Sequence, residues 1–206
     1  MIKKLAGFIF EKLLGNYQTI DGWLSKKEAW GLFFIALKVP RNGIIVEIGS
    51  WQGKSTYCLA RGLRSGKIYA IDPFNADAGF DEDSAVIYKE KQANNNLLDI
   101  FINNMTRLNV INKIKPMPGY SYHFGDQFTK INFLFIDGDH SIKGCQSDFE
   151  IYSPKVVVGG YIAFHDYYPE REELGSTYVI KNLVLKSKEF IFYRHYDSLW
   201  VAKKIA

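Results

Sequence analysis

Titratable side chains follow two apolar runs of the sequence. The segment Asp137-Gly138-Asp139-His140 comes directly after the run 131–136, and His165-Asp166 comes directly after the run 161–164. Histidine titrates near neutral pH, and carboxylates accept protons or bind cations, so this combination suits acid–base or metal-assisted chemistry. Because the carboxyl ends of parallel strands share one edge of a sheet, where α/β proteins bind ligands, we expect a functional site there.

A third segment begins at Glu47, after another apolar run. A phosphate-binding P-loop would need glycine where Ile48 stands, and a dinucleotide-binding loop would need glycine where Trp51 stands. The segment keeps an acidic residue and two glycines, Gly49 and Gly53. We expect the glycines to let the backbone approach a ligand, because they have no Cβ atom. We expect the buried carboxylate of Glu47 to accept hydrogen bonds from loop amides or from a ligand ammonium, because an unpaired buried carboxylate is costly.

Asp72 ends the next apolar run along the chain. A carboxylate after the second strand of a doubly wound sheet can accept both hydroxyls of a ribose. The alternative is structural, because an aspartate before Pro73 is also a common start of a turn. Polar groups thus end four of the five predicted parallel strands, which favours a binding site over isolated caps and turns.

Strand-like and helix-like periods alternate along the chain, which is typical of an α/β protein with a parallel sheet. A capping box of Ser25 and Glu28 marks the start of the first of these helices. The predicted strands cover residues 44–48, 67–71, 113–117, 131–136, 161–164, 189–193 and 199–203. The predicted helices cover residues 25–37, 55–63, a segment ending near 108, 143–152 and 177–186. The last two strands are expected to form a hairpin with a five-residue connection. We therefore predict an α/β, doubly wound, mostly parallel seven-stranded sheet with an antiparallel last strand.

Length and composition set further bounds. The 206 residues, 47% hydrophobic and 23% charged, suit one globular domain. A net charge of +4, without a run of Lys or Arg beyond a pair, argues against nucleic acid as partner. No apolar run reaches the ~20 residues of a transmembrane segment, and two cysteines without CxxC spacing fit the cytoplasm. We predict an amphipathic helical appendage over residues 1–22, with its helix at 2–14, and a domain over 23–206.

These segments together resemble a known family. Residues 46–56, 71–73, 135–141 and 159–166 are similar to the motifs of class I S-adenosylmethionine-dependent methyltransferases. The DGDH and FHD strand ends resemble a subgroup of small bacterial O-methyltransferase-like proteins. The resemblance covers about residues 23–203. It implies a Rossmann-like methyltransferase fold, S-adenosylmethionine as cofactor, and transfer of a methyl group to a hydroxyl of a small molecule or sugar.

The resemblance also implies roles for particular residues. The methionine part of the cofactor would lie on the loop after the first strand, the ribose at the end of the second, and the adenine after the third. The sulfonium region would lie above the end of the fourth strand. The predicted cofactor-binding residues are Glu47, Gly49, Ser50, Gly53, Asp72, Ser121 and Asp137.

Methyl transfer to oxygen needs removal of the hydroxyl proton, by a base or with the help of a metal. The predicted catalytic residues are His140, Asp139, His165 and Asp166, with His140 as general base. Related metal-dependent enzymes carry acidic ligands after the fourth and fifth strands, which implies Asp137, Asp139 and Asp166 as ligands of Mg²⁺, Mn²⁺ or Fe²⁺. A histidine at the position of His165 departs from the oxygen ligands that Mg²⁺ prefers. Activation by a bound metal and activation by a general base without a metal therefore both stay open.

Two other functions are compatible with these motifs. One is a metal-dependent hydroxylase-like relative, and the other is a catalytically silent cofactor-binding or assembly module. No separate substrate domain fits into the length, so the acceptor pocket must come from loops, from residues 1–22 or from the second subunit of a homodimer. Aromatic residues near the predicted site, among them Trp51 and Tyr88, are candidates for its walls.

Overall fold

The computed structural model describes residues 12–76, 86, 88–90, 92 and 96–206. Most of the predicted helix over residues 2–14 lies outside these ranges. The strands are β1 (Gly43–Ile48), β2 (Gly66–Asp72), β3 (Ile114–Pro118), β4 (Ile131–Ile136), β5 (Val156–Phe164), β6 (Phe190–Tyr196) and β7 (Leu199–Lys204). The α-helices are α1 (Lys26–Lys38), α2 (Lys54–Gly62), α3 (Leu97–Arg107), α4 (Ile142–Tyr152) and α5 (Gly175–Val179), and α5 continues as a wider π-helical turn over Ile180–Val184.

In the described part of the chain, seven strands form one sheet in the order β3-β2-β1-β4-β5-β7-β6. Neighbours among β1 to β5 are parallel, and β7 runs antiparallel to both β5 and β6. This confirms the predicted fold class, with its reversed last strand. The strand order changes direction between β1 and β4, and the carboxyl ends of these two strands form the crevice where such sheets bind ligands.

The sheet separates two hydrophobic layers. Side chains alternate between its faces, so Ile45 packs with the layer of α1, α2 and α3, whereas Val46 packs with the layer of α4 and α5. Both residues are fully buried. Parallel strands covered on both faces explain why the sequence shows short continuous apolar runs rather than strict alternation.

The first helix is held by the predicted capping box. Ser25 Oγ accepts the backbone N–H of Glu28, and the Glu28 carboxylate accepts the backbone N–H of Ser25. Before this helix, Leu14, Tyr17 and Ile20 are buried in the layer of α1 and α2. The described part of the predicted appendage therefore packs against the domain. No helix in the described ranges is long and apolar enough to cross a membrane.

Two predicted boundaries are wrong. The fifth strand was expected to begin at residue 161, but β5 begins at Val156 and runs through Gly159 and Gly160. Gly159 has a φ of +84°, and the register with β4 shifts there, which is how a glycine accommodates a bulge inside a strand. The hairpin between β6 and β7 has the two connecting residues Asp197 and Ser198 instead of five, because β6 extends to Tyr196.

Candidate active site

One cavity of about 1760 Å³ opens at the carboxyl ends of the parallel strands. Ligand pockets commonly occupy roughly 300–1,000 Å³, so this cavity has room for a cofactor and a second molecule. The predicted site residues that line it are Gly49, Ser50, Asp72, Ser121, Asp137, Asp139, His140, His165 and Asp166. Glu47, in β1, and Gly53, at the end of the loop after β1, do not belong to the lining.

Asp72 shapes the loop that follows β1. Its Oδ2 atom accepts the backbone N–H groups of Ser50 at 2.9 Å and Trp51 at 2.8 Å, and its Oδ1 atom accepts that of Phe74 at 2.7 Å. Burial raises the pKa of Asp72, and these three N–H groups oppose that rise. The carboxylate therefore links the ends of β1 and β2 while it lines the cavity.

Glu47 holds the same loop to the start of helix α2. The carboxylate is fully buried and accepts hydroxyl groups from Ser50 at 3.0 Å, Ser55 at 2.6 Å and Thr56. Burial raises the pKa of Glu47 to about 7, against the effect of the three hydroxyls. Among the described residues the donors are hydroxyls and not the expected loop amides, because the first turn of α2 presents two hydroxyls at the strand end. A ligand ammonium as a further donor stays a prediction.

The two loop glycines allow close contacts within the protein. A Cβ atom on Gly49, whose φ is +86°, would lie 1.9 Å from the carbonyl oxygen of Asp137. A Cβ atom on Gly53, whose φ is +93°, would lie 2.6 Å from the Met105 side chain. The approach of a ligand to these glycines stays a prediction, and Gly49 lines the cavity. Glycine lets the loop approach the end of β4 on one side and helix α3 on the other.

His165 lies at the centre of a buried ionic cluster. Its Nδ1 atom is 3.2 Å from Asp137 Oδ1 and 3.2 Å from Asp166 Oδ2, and its Nε2 atom is 3.4 Å from Glu28 Oε2. Burial alone would lower the pKa of His165, but the three carboxylates outweigh it and raise the pKa well above 6.5. The imidazolium therefore neutralises charge at the end of β5.

The carboxylates of this cluster respond to the same cation. Burial alone would raise the pKa of Glu28, but His165, Ser198 and Ser25 lower it to about 2. Burial would likewise raise the pKa of Asp166, but the hydrogen bond and charge of His165 hold it below its ordinary value. Sequence reasoning assigned Glu28 only a capping role, because nothing in the sequence indicates that α1 lies beside the end of β5.

His140 faces the cavity side of this cluster. Its Nε2 atom lies 3.5 Å from Asp166 Oδ2 and 4.0 Å from Asp137 Oδ1. One ligand atom from each of these three residues lies within 4.8 Å of the others, which is close enough for one metal ion. Asp139 was expected in this set, but its Oδ1 atom accepts the backbone N–H of Ser141 at 2.8 Å, at the start of α4. The structure therefore groups His140, and not Asp139, with Asp137 and Asp166.

Ser121 lies where the cavity meets helix α4. Its hydroxyl donates to Asp148 Oδ1, and its carbonyl oxygen accepts the Tyr152 hydroxyl at 2.6 Å. Asp148 also lines the cavity, although sequence reasoning did not select it. Its position in the middle of an amphipathic helix does not indicate a role in the site, because only the fold brings that turn of α4 against the segment after β3.

Aromatic rings form a wall at the other end of the cavity. The Trp23 ring lies 6.2 Å from that of Trp51 and 5.6 Å from that of Tyr88, measured between centroids, and Trp51 and Tyr88 are 5.2 Å apart. All three residues line the cavity, and Trp23 is half exposed. Two of these residues, Trp51 and Tyr88, were candidates for the acceptor pocket. Trp23 was not, because it lies before the first predicted helix.

This sheet order, with a ligand loop after β1 and an acidic residue after β2, is the architecture that the resemblance implied for methyltransferases. A family model described as "Methyltransferase domain" matches residues 46–167, and the chain belongs to this family. The match confirms the predicted class, the class I S-adenosylmethionine-dependent methyltransferases. The subgroup with DGDH and FHD strand ends stays a prediction.

Individual relatives are more distant. An uncharacterized protein of Acanthamoeba polyphaga mimivirus is 30% identical over 122 residues, which are 59% of this chain and 50% of that protein. The chain thus spans about half the length of this curated relative. The O-methyltransferase TomG from Streptomyces achromogenes, involved in tomaymycin synthesis and solved with S-adenosylmethionine, has 14% identity and a TM-score of 0.62. The match covers 89% of this chain and 82% of TomG.

A second solved structure carries a different description. A candidate rRNA methylase from Clostridium thermocellum has 14% identity and a TM-score of 0.64. The match covers 90% of this chain and 99% of that one. At such identities the two similarities show the fold alone.

Proposed function

We propose that the protein transfers the methyl group of S-adenosylmethionine to a hydroxyl oxygen of a small molecule. The observation that carries this proposal is that one cavity holds both five of the seven predicted cofactor residues and the pair of His140 and Asp166. A concave site at the strand ends suits a small acceptor better than a nucleic acid, which a basic surface would recognise. The similarity to TomG supports an oxygen atom as the methyl acceptor. The similarity to the rRNA methylase is compatible with a different methyl acceptor.

The cofactor would extend along the strand ends. Its methionine part would lie against Gly49 and Ser50, its ribose would bind Asp72, and its adenine would approach Ser121. Asp137 would lie below the sulfonium, where a carboxylate stabilises positive charge. Glu47 and Gly53 would support this arrangement from outside the cavity lining.

The acceptor oxygen would be activated by His140. The bound cofactor would supply its methyl group to the acceptor oxygen and leave as S-adenosylhomocysteine, and the hydroxyl proton would pass to the ring nitrogen of His140 that does not face Asp166. Asp166 orients this imidazole and stabilises the imidazolium that forms. His165 is already cationic and holds Asp137 and Asp166 in place, so we assign it a positioning role. Asp139 acts by positioning the first turn of α4.

A bound metal is the second candidate for activation of the hydroxyl. Two carboxylates and one imidazole suit Mn²⁺ or Fe²⁺ better than Mg²⁺. Asp137, His140 and Asp166 would hold the ion, which would supply a Lewis acid for the hydroxyl. The chain's own His165 cation already compensates the two carboxylates, which favours the metal-free alternative. Treatment with EDTA separates the two, because it abolishes turnover only if a metal is required.

The test of this proposal is release of S-adenosylhomocysteine during incubation with S-adenosylmethionine and a panel of phenols, sugars and hydroxylated metabolites. We expect turnover with one class of hydroxyl compounds, and a loss of roughly 10²-fold or more in His140→Ala with unchanged cofactor binding. His195→Ala is the matched control, because that histidine is exposed on β6. Equal turnover of wild type and His140→Ala would contradict the assigned base.

The remaining predictions concern the cellular compartment, the alternative function and the oligomeric state. Cys58 and Cys145 are both buried thiols, which is compatible with the cytoplasm that we propose. The chain's membership of a methyltransferase family supports methyl transfer over the hydroxylase-like alternative. A homodimer that completes the acceptor pocket stays a prediction.

A further inference from the structure

Strand β6 (Phe190–Tyr196) forms one edge of the sheet, and none of its residues lines the cavity. In the described part of the chain it pairs with β7 along one side and with no strand along the other. Such an edge presents backbone N–H and C=O groups that can pair with a strand of another chain. We infer that this edge pairs with the same edge of a second copy of the protein, in antiparallel orientation. The inference goes beyond the proposed function and does not depend on it.

The middle of this edge strand is apolar. Ile191 is 50% exposed, Phe192 54% and Tyr193 37%, and the three residues are consecutive. Edge strands are commonly protected by charged residues, by proline or by a bulge. A bulge does interrupt the register with β7 between Phe192 and Arg194, but it leaves these apolar side chains exposed. The strand is therefore only partly protected against pairing with another strand.

Helix α1 extends this apolar surface. Lys38 Nζ lies 5.8 Å from the centre of the Tyr193 ring, so the last turn of α1 lies beside β6. Phe34 and Leu37, on the turn that ends at Lys38, are 43% and 39% exposed. Exposed apolar side chains of a helix and a strand thus adjoin at the sheet edge. The edge surface, as we call it, consists of Phe34, Leu37, Ile191, Phe192 and Tyr193.

The edge surface is large enough for the centre of a dimer interface. At about 200 Å² for each large side chain, its exposed part amounts to roughly 400–500 Å². Each partner of a stable dimer contributes about 800 Å², with apolar side chains at the centre and polar groups at the rim. The backbone groups of β6 and the polar residues around it would supply the remainder.

A two-fold axis at Phe192 makes this strand complementary to itself. In an antiparallel pair centred on that residue, Ile191 of each copy lies opposite Tyr193 of the other. Both side chains lie on the face of the sheet that α1 covers. Ile191 is in register with Lys203 and Tyr161 on that face, and the Tyr193 ring lies 5.2 Å from the Tyr161 ring. The same axis places the α1 helices of both copies on one face of the joined sheet.

The charges at the ends of β6 favour the antiparallel orientation. Glu189, directly before the strand, is half exposed, and its carboxylate lies 3.2 Å from Lys204 Nζ. Arg194, near the other end, is exposed. An antiparallel pair brings the start of each strand beside the end of the other, so Glu189 of each copy approaches Arg194 of the other. Lys188 and Asp197, further out at either end, form a second pair of opposite charges. A parallel pair would bring each charge beside its equal.

Sedimentation equilibrium of the full chain over a range of concentrations measures this association. We expect the wild type to form a dimer with a micromolar or lower dissociation constant. Ile191→Lys should raise this constant roughly 100-fold or more, because it places a charge at two symmetric positions of an apolar interface. Ile102→Lys is the matched control, since that isoleucine is exposed on α3 outside the edge surface, and it should leave the constant unchanged. A wild type that stays monomeric up to about 100 μM, or a folded Ile191→Lys variant that dimerises like the wild type, overturns the inference.

A charge swap tests the orientation of the pair. Arg194→Glu should raise the dissociation constant roughly tenfold, because it brings a like charge beside Glu189 of the other copy. The double variant Glu189→Lys/Arg194→Glu should restore the constant to within about threefold of the wild type, because the opposite charges meet again. A folded double variant that dimerises no better than Arg194→Glu overturns the antiparallel pairing.

Two controls keep the result decisive. Circular dichroism verifies the fold of each variant, and if Ile191→Lys does not fold, Leu37→Lys on the same surface takes its place. Leu37→Lys should raise the dissociation constant roughly tenfold or more, and an unchanged constant overturns the inference. Titration with S-adenosylhomocysteine reads the cofactor site independently. A monomer that binds this compound contradicts the dimer alone, and a dimer that does not bind it contradicts the proposed function alone.

Discussion

At the scale of single residues, Glu47 connects the pKa of one buried group with the stability of the whole protein. Burial raises the pKa of Glu47 to about 7, from an ordinary 4.5. Between these two values the unfolded chain has released the proton that the folded chain keeps. The free energy of unfolding therefore falls as pH rises through this window, by up to about 3 kcal/mol.

Glu47→Gln should remove this dependence, because the amide does not titrate and its oxygen still accepts hydroxyl groups. Urea unfolding at several values between about pH 5 and 8 should show the variant gaining stability over wild type as pH rises. Glu150→Gln is the matched control, since Glu150 is exposed on α4 and accepts only from Gln146 among the described residues. Parallel curves for Glu47→Gln and wild type would contradict the account.

Gly49 offers a second prediction at this scale. Gly49 and Gly159 have nearly the same φ, +86° and +84°, but a Cβ atom would meet the Asp137 carbonyl in the first case and open space among the described residues in the second. Gly159→Ala should cost about 1–2 kcal/mol, the strain of the left-handed conformation. Gly49→Ala should cost more than about 4 kcal/mol, because backbone must move. Equal losses in denaturant unfolding would show that the close approach to Asp137 is unimportant.

The sequence predicts which residues lie at the site better than it predicts which of their side chains contact one another. Every predicted residue after the strands β1, β2, β4 and β5 lies at the expected sheet edge, because parallel strands impose that position. The direction of each side chain depends on local backbone: Asp139 accepts a helix amide, whereas His140, one residue later, faces Asp166. Asp166 itself has a φ of +55°, a conformation that no spacing rule indicates.

At the scale of elements, two links join helix α1 to the turn between β6 and β7. In the buried link, Glu28 accepts the backbone N–H of Ser198 at 2.9 Å and its hydroxyl at 2.7 Å, beside the His165 cation. In the exposed link, Asp197 pairs with Lys27 at 2.8 Å and accepts the Ser25 hydroxyl at 2.7 Å. Both links tie the same two elements, so they form a matched pair of tests.

Glu28→Gln should destabilise the protein by about 3 kcal/mol, because it leaves the buried His165 cation with one carboxylate fewer. Asp197→Asn should leave the unfolding midpoint almost unchanged, because water screens exposed ion pairs. Chemical denaturation at neutral pH measures both changes. If the two variants lose equal stability, the buried cluster does not hold α1 against the end of β5.

The elements themselves were largely predictable, and the exceptions have physical reasons. Apolar runs and one capping box predicted the seven strands and the start of α1. The bulge in β5 was missed because a pair of glycines reads as a turn, although glycine also permits a strand to bend. The short hairpin was missed because Arg194 to Tyr196 are mostly exposed on an edge strand, where apolar patterning gives no signal.

At the scale of the whole molecule, the described chain is one sheet with two hydrophobic layers and one large cavity at its ligand-binding edge. The cavity is lined by the loop after β1, by the acidic ends of β2 and β4, by His140 and Asp166, and by the aromatic wall to which Trp51 of that loop belongs. The sequence did not indicate that α1 and α4 contribute residues to this cavity, because long-range packing places Glu28 and Asp148 there. The fold thus supports a cofactor and an acceptor in one compartment.

The most direct test of the central claim is isothermal titration of the purified protein with S-adenosylhomocysteine. We predict saturable binding at one site per chain, weakened roughly tenfold or more by Asp72→Ala and unchanged by Asp99→Asn, an exposed control on α3. Circular dichroism would verify that both variants stay folded. Absence of binding by the wild type, or unchanged binding by a folded Asp72→Ala variant, would contradict the assignment of this cavity as the cofactor site.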